Sequence, residues 1–256
     1  MDRKSIFGVI FPAALAVLLL TPIFPGCRKK SQPSESRQEE AESLPAAQGP
    51  SLDEEAIRTL FAEPSEETET EEASALDNIQ WEQGAFSARD AHEAVVSFYD
   101  GSQAHAMGTG EVWLLRYDGG WKLIAQLENA DFASFNLIDI DQDGRSEIWL
   151  DAGAMHFGNA TSRGSLVKIE GNEVSTLYSC DGFDNTGALE EGAAVCKVFA
   201  DFQNLDDDPV LEIVETETIA TYQNISEEYQ EVSSTSTVSV YKLKDGQYEK
   251  TEMKSP

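Results

Sequence analysis

The sequence predicts an all-β domain at residues 78–256, built from three repeated units. Hairpin signals, each made of two alternating strands around a Gly-containing turn, recur three times in this part of the chain. Convincing helix periodicity is absent from it. A glutamate also opens a strand in every unit, at Glu93, Glu147 and Glu212, so the units are spaced by 54 and then 65 residues.

The three units begin alike. They contain Gly84–Phe98, Leu137–Leu150 and Val198–Val214, and in each a short apolar strand leads into a polar loop and then into the strand that the glutamate opens. The hairpins that follow are predicted at Val112–Ile124, Ser165–Val174 and Val238–Tyr248. Four strands per unit at this period are typical of a β-propeller blade. Three blades are fewer than an ordinary propeller has, which leaves a partial or irregular propeller, a sandwich, or closure by association of chains.

The loop of the second unit is dense in oxygen ligands. Asp139, Asp141 and Asp143 alternate and Gly144 follows, and such closely spaced carboxylates repel one another unless a hard cation such as Ca²⁺ lies between them. The bend that glycine permits brings the carbonyl of Arg145 towards the same ion. An EF-hand is disfavoured because Leu150 stands at the position of its bidentate glutamate and the flanks are strand-like. The alternative is a plain Asp-Gly turn.

This loop, Asp139-x-Asp-x-Asp-Gly-x-x-Glu147 followed by Ile-Trp-Leu, resembles the Ca²⁺ loop of FG-GAP or VCBS repeats, the blades of integrin-α-type β-propellers. The resemblance covers roughly residues 84–250, and only the middle loop matches specifically. It implies that the ion is bound by the side chains of Asp139, Asp141, Asp143 and Glu147 and by the carbonyl of Arg145.

The other two units depart from this pattern. The first has a single loop carboxylate, Asp90, and we expect it to be purely structural. The third loop is predicted to be about three residues longer than the second, with Pro209 in place of the glycine. We expect no ion there, although it offers the carboxylates of Asp201, Asp206, Asp207 and Asp208.

The first 27 residues have the pattern of an export signal. Arg3 and Lys4 precede an apolar run, residues 6–20, and Gly26-Cys27 resembles the end of a bacterial lipobox, whose cysteine is lipidated. Phe24 stands where that family usually has leucine. The basic residues 28–30 favour an alternative in which the segment is retained as a membrane anchor and the repeat domain stays in the cytoplasm.

Residues 28–77 are predicted to be a disordered acidic linker, because Glu, Ser, Pro, Gln and Ala dominate them and large apolar residues are few. One short helix, residues 51–61, interrupts this composition. Ser51 and Glu54 have the spacing of a capping box, and Ile57, Leu60 and Phe61 share one helical face. Such a helix is marginal by itself, so it either docks on the domain or does not form stably.

The net charge and the cysteines limit which partners and bonds the sequence predicts. The chain carries 18 basic and 47 acidic side chains, a formal net charge of -29, which disfavours nucleic acid and anionic membrane surfaces and favours cations and basic proteins. Cys180 and Cys196 are expected to form a disulfide in an exported protein, and the alternative is two separate thiols. A zinc site is disfavoured because no CxxC occurs.

No common catalytic motif is present: we find no Gly-x-Ser-x-Gly, no Walker loop and no His-Glu-x-x-His. The predicted function is therefore a non-catalytic Ca²⁺-binding structural or interaction module, exported and lipid-anchored at the outer membrane or cell surface, for an unidentified protein or surface ligand. The alternative is a secreted hydrolase on a propeller scaffold. His156, a carboxylate and an aromatic ring gathered in one pocket would favour it.

Overall fold

The computed structural model describes residues 50–61, 76–100, 110–188, 193–206, 208–225 and 228–251. The predicted signal segment with Cys27 and most of the predicted linker lie outside these ranges. In the described residues the chain has one α-helix, one 3₁₀ turn (Thr186–Ala188) and twelve strands, which confirms the all-β prediction. The helix and strands are α1 (Glu54–Phe61), β1 (Leu76–Gly84), β2 (Glu93–Asp100), β3 (Gly110–Tyr117), β4 (Trp121–Ala130), β5 (Phe132–Ile138), β6 (Glu147–His156), β7 (Asn159–Glu170), β8 (Glu173–Asp184), β9 (Ala194–Gln203), β10 (Glu212–Ile225), β11 (Glu228–Lys244) and β12 (Gln247–Thr251).

The strands form two antiparallel sheets, with orders β1-β2-β3-β4 and β12-β11-β10-β9-β8-β7-β6-β5. Because strands adjacent in sequence are adjacent in space, the chain consists of three four-stranded meanders. We call them the first (β1–β4), second (β5–β8) and third (β9–β12) meander. Among the described residues, β8 of the second meander and β9 of the third share only two ladder pairs, Phe183 with Cys196 and Asp184 with Val195. The larger sheet is therefore two meanders connected at one corner.

The three predicted hairpins are confirmed as β3–β4, β7–β8 and β11–β12. Their turns contain glycines with positive φ, Gly119 at 67°, Gly171 at 64° and Gly246 at 85°. A side chain at these positions would be strained, because the left-handed region is open mainly to glycine. The turn chemistry visible in the sequence therefore places each hairpin correctly.

The prediction that a glutamate opens the second strand of each unit is also confirmed, since β2, β6 and β10 begin at Glu93, Glu147 and Glu212. The loops before them, residues 85–92, 139–146 and 204–211, are each eight residues long. The expectation of a longer third loop is therefore wrong. The reason is that β9 continues to Gln203 and takes in Asp201 and Phe202, which the sequence analysis assigned to the loop.

The second meander is buried on both faces. On one face Ile148 and Leu150 of β6 pack with Val95 and Val112 of the first meander. On the other face Trp149 packs with residues of the third meander that include Ile213 and Tyr248. Successive residues of a strand point to opposite faces, so one strand contributes to both cores. The three meanders are stacked face to face in chain order.

The helix α1 covers the outer face of the first meander. Leu52 and Ile57 are buried there with Phe98, and the ring of Phe61 lies edge-on to that of Phe98, with 4.5 Å between centroids. Asp53 begins the helix by accepting a bond from Ala56 N at 2.8 Å. Of the two alternatives for this segment, the structure shows the docked one. The helix thus packs on the domain, and β1 begins at Leu76, slightly before the predicted boundary at residue 78.

Candidate metal centre

The loop between β5 and β6 is coiled tightly around its own carboxylates. Asp139 accepts bonds from the backbone N–H groups of Asp143 (3.1 Å) and Gly144 (3.0 Å), and Asp141 accepts one from Asp143 N at 3.2 Å. Gln142 and Gly144 have φ of 55° and 83°, which turns the chain back on itself twice within three residues. These bonds hold the aspartate side chains on the inner side of the loop.

Three of the four predicted carboxylate ligands come together. Oxygen atoms of Asp139, Asp141 and Glu147 all lie within 4.8 Å of one another. Asp143 does not join them, because its carboxylate pairs with the guanidinium of Arg145, with Nη2 to Oδ2 at 2.7 Å. This pairing also lowers the pKa of Asp143. The backbone carbonyl of Arg145 stays a predicted ligand. The side chain of Arg145 forms an ion pair with Asp143.

Glu147 is the buried carboxylate of the site. It is 2 % exposed and accepts a bond from Ile140 N at 3.2 Å. Burial raises the pKa of this carboxyl group, and the bond from Ile140 and the nearby charge of Lys168 act in the opposite direction. Since burial disfavours the charged form, a bound cation would relieve part of that cost.

Lys168 is a member of the site that the sequence analysis missed. Its Nζ lies 3.5 Å from Asp141 Oδ2 and 3.6 Å from Glu147 Oε1. The three carboxylates and this ammonium carry −3 and +1, which leaves a net charge of −2. Oxygen donors with this residual charge fit a hard divalent cation, although the ion has to share two of the three carboxylates with Lys168.

The same buried contact recurs in all three meanders. Glu93, Glu147 and Glu212 are 1–3 % exposed, and each accepts a bond from the backbone N–H seven residues earlier. Each also pairs with a basic residue of the following strand, at distances of 2.8, 3.6 and 3.1 Å. The backbone donors are Phe86, Ile140 and Leu205, and the basic partners are Arg116, Lys168 and Lys242.

Equal loop lengths align the third loop with the second. Asn204, Asp206 and Asp208 then stand where the second loop has its three aspartates, and Pro209 stands at the position of the glycine. Lys242 is bonded to both Asp206 and Glu212, so these carboxylates already have a cationic partner. Asp201 lies on β9, outside this loop, and Asp207 is not among the described residues.

The two predicted disulfide partners are free thiols in this structure. Cys180 lies on β8 and Cys196 on β9, where its Sγ is 3.7 Å from Glu217 Oε1. Burial raises the pKa of both thiols, which keeps them protonated and less reactive. The disulfide stays a prediction, and a thiol count on the exported protein tests it.

His156 lies at the tip of the β6–β7 hairpin, where its ring contacts that of Phe157 at a centroid distance of 4.2 Å. Close to this hairpin is an open cavity of about 680 Å³, whose lining includes Asp131, Arg163 and Phe183. His156 does not line this cavity. At this cavity, the described residues do not form the grouping that the hydrolase alternative requires.

Comparison with protein-family models, with curated proteins and with solved structures finds no match for this chain. Within the described ranges, the structure contains no helix with the length and apolar character that a bilayer crossing needs.

Proposed function

We propose that this chain is an exported, lipid-anchored cell-envelope protein whose β-repeat domain binds Ca²⁺ and serves as a non-catalytic structural or interaction module. The observation that carries the proposal is the convergence of Asp139, Asp141 and Glu147 oxygens at the base of the second meander. Hard oxygen donors at this density are the ligands that Ca²⁺ prefers.

A propeller-like arrangement of the repeats is part of the proposal. Three four-stranded meanders with equal loops, stacked face to face, support it. The loops also lie at one end of the stack, since Arg145 Nη1 reaches Ser87 O at 3.5 Å and Leu211 N donates to Ile140 O at 2.8 Å. An ion in the middle loop would therefore stiffen the end of the domain where all three loops meet.

The Ca²⁺ site is tested by melting the full-length protein with Ca²⁺ and with chelator. At about 100 times its dissociation constant, an ion that binds only the folded state adds roughly 2.7 kcal/mol to the free energy of unfolding. We expect this gain in the wild type, and its loss in Asp141→Asn, which removes one of the three carboxylate charges.

The matched control is Asp118→Asn, because Asp118 is an exposed aspartate in another turn, where it pairs with Lys122. This variant should respond to Ca²⁺ as the wild type does. Titration calorimetry of the three proteins measures binding without reference to stability. Equal responses of the wild type and Asp141→Asn, or no response in either, would contradict the metal site.

The anchor is tested separately by growing bacteria that express the full chain with labelled palmitate. We expect the label on the wild type and none on Cys27→Ser, because lipidation needs the thiol of the new N-terminal residue. A retained N-terminal segment in the mass spectrum of the wild type would support the uncleaved membrane anchor instead. Cys196→Ser is the control for general effects of losing a cysteine.

A further inference from the structure

The strand β11 runs far beyond its outer neighbour. It spans seventeen residues, of which β12 pairs only with Val240–Lys244. On its inner side β11 is paired with β10 in regular register from Ser233 to Tyr241, and a bulge at Val232 bounds this stretch. Among the described residues, 233–239 therefore have no strand on their outer side. We call residues 233–239 the open edge.

The open edge lacks the features that protect the strands at the ends of the two sheets. β1 contains a bulge and is contacted by residues of α1 and of the segment just before it. β12 is only five residues long. β4 carries charged side chains, and its pairing with β3 has two register shifts. β5 is short and packs against the first meander. The open edge reads Ser-Ser-Thr-Ser-Thr-Val-Ser, with no charge, no proline and no glycine. An uncharged strand edge without proline or a bulge is a template for another strand.

We propose that the open edge pairs antiparallel with the open edge of a second copy of this chain. The uncharged composition of the open edge argues for this occupant, although the net charge of the chain does not. With a net charge of -29, most contacts between two copies bring like charges together. In any antiparallel register of two open edges, only serine, threonine and valine residues face one another, so the pairing avoids this repulsion.

The pairing chemistry already exists on the inner side of the same strand. Thr218 Oγ1 and Ser236 Oγ are 2.8 Å apart, and Thr221 Oγ1 and Ser233 Oγ are 2.6 Å apart, across the β10–β11 pair. A second copy extends this ladder outwards by backbone bonds and further Ser–Thr contacts. The exposed side chain of Val238, 49 % accessible, lies on the same strand and gains apolar contact when two copies meet.

The test uses the full-length chain in one detergent, with sedimentation velocity over a range of protein concentrations and at low and high salt. We expect a monomer–dimer equilibrium that shifts towards dimer as salt rises, because salt screens the repulsion between the acidic copies. Hydrogen exchange localises the contact, and amides of residues 233–239 should exchange more slowly at high protein concentration than at low. Slowing confined to other segments would overturn the proposal.

Three double variants complete the test. Thr235→Lys with Thr237→Lys places positive charges along both edges and should weaken dimerisation by about tenfold or more. Gln80→Lys with Thr176→Lys adds the same charge at exposed strand positions elsewhere and should dimerise as the wild type does. Thr235→Val with Thr237→Val keeps the edge uncharged and should retain the dimer.

Each remaining outcome decides against a second copy. A monomer at all concentrations overturns the proposal, and so does a dimer that the lysine pair leaves unchanged. Protection of the open edge that does not depend on concentration indicates that a segment of the same chain covers it. If a different protein protects the open edge, and its binding weakens as salt rises, the occupant is a basic partner.

Discussion

Glu93→Ala is expected to lower the free energy of unfolding by about 3–5 kcal/mol, because it removes one partner of a buried charge pair and leaves the other uncompensated. The side chain of Glu93 is fully buried. It accepts bonds from Phe86 N at 3.0 Å and Ser87 N at 2.8 Å, and from the guanidinium of Arg116 at 2.8 Å. Alanine leaves the two backbone N–H groups without this acceptor and removes the carboxylate partner of Arg116.

Urea denaturation of the wild type and three variants measures this effect. Glu93→Gln keeps an acceptor of the same shape and loses the charge, so its loss of stability should be intermediate. Glu249→Ala removes an exposed carboxylate that pairs with Lys244 at 3.2 Å, and little change is expected because solvent screens such pairs. A Glu93→Ala variant as stable as Glu249→Ala would show that the buried contact does not hold the loop.

Arg116 should be coupled to Glu93 in a double-mutant cycle. If the guanidinium is mainly the partner of this carboxylate, Arg116→Ala in the Glu93→Ala background costs much less than in the wild type. Arg116 also donates to Gly171 O and Asn172 of the second meander, so a residual cost is expected. That residual cost measures how strongly the β7–β8 turn is fixed to the first meander.

Gly110→Ala is expected to cost about 3 kcal/mol, since it overpacks a contact between two backbones. A Cβ atom at Gly110 would lie 2.4 Å from Ala133 N and 2.8 Å from the backbone of Phe132. This is the point at which β3 of the first meander meets β5 of the second. Backbone atoms cannot move aside as a flexible side chain does, so the two meanders have to separate.

Gly120→Ala is the matched control for this prediction. No atom lies within 4 Å of a Cβ at Gly120, and its φ is not in the left-handed region, so the change in stability should stay within about 0.5 kcal/mol. Thermal melts of both variants, read together with hydrogen exchange of β5, distinguish separation of the meanders from general loss of structure. Equal stability of the two variants would contradict the close approach at Gly110.

Local features of the chain were enough to predict much of this fold. Strand alternation and Gly-containing turns are properties of neighbouring residues, and they placed the hairpins and the glutamates that open β2, β6 and β10. The alternation of aspartates with a following glycine likewise indicated the loop at Asp139–Glu147. The end of β9 was missed, because Asp201 interrupts the apolar pattern although it lies on an exposed face of the strand.

The sequence by itself determined the class of the fold, the hairpin turns and the loop whose carboxylates form the candidate site. Only the tertiary structure decided which cation faces them, because Lys168 is brought to Glu147 by the register between β6 and β7. It also decided that Asp143 turns to Arg145 and that α1 docks on the first meander. These outcomes depend on contacts between residues far apart in the chain, which neither local periodicity nor turn chemistry specifies.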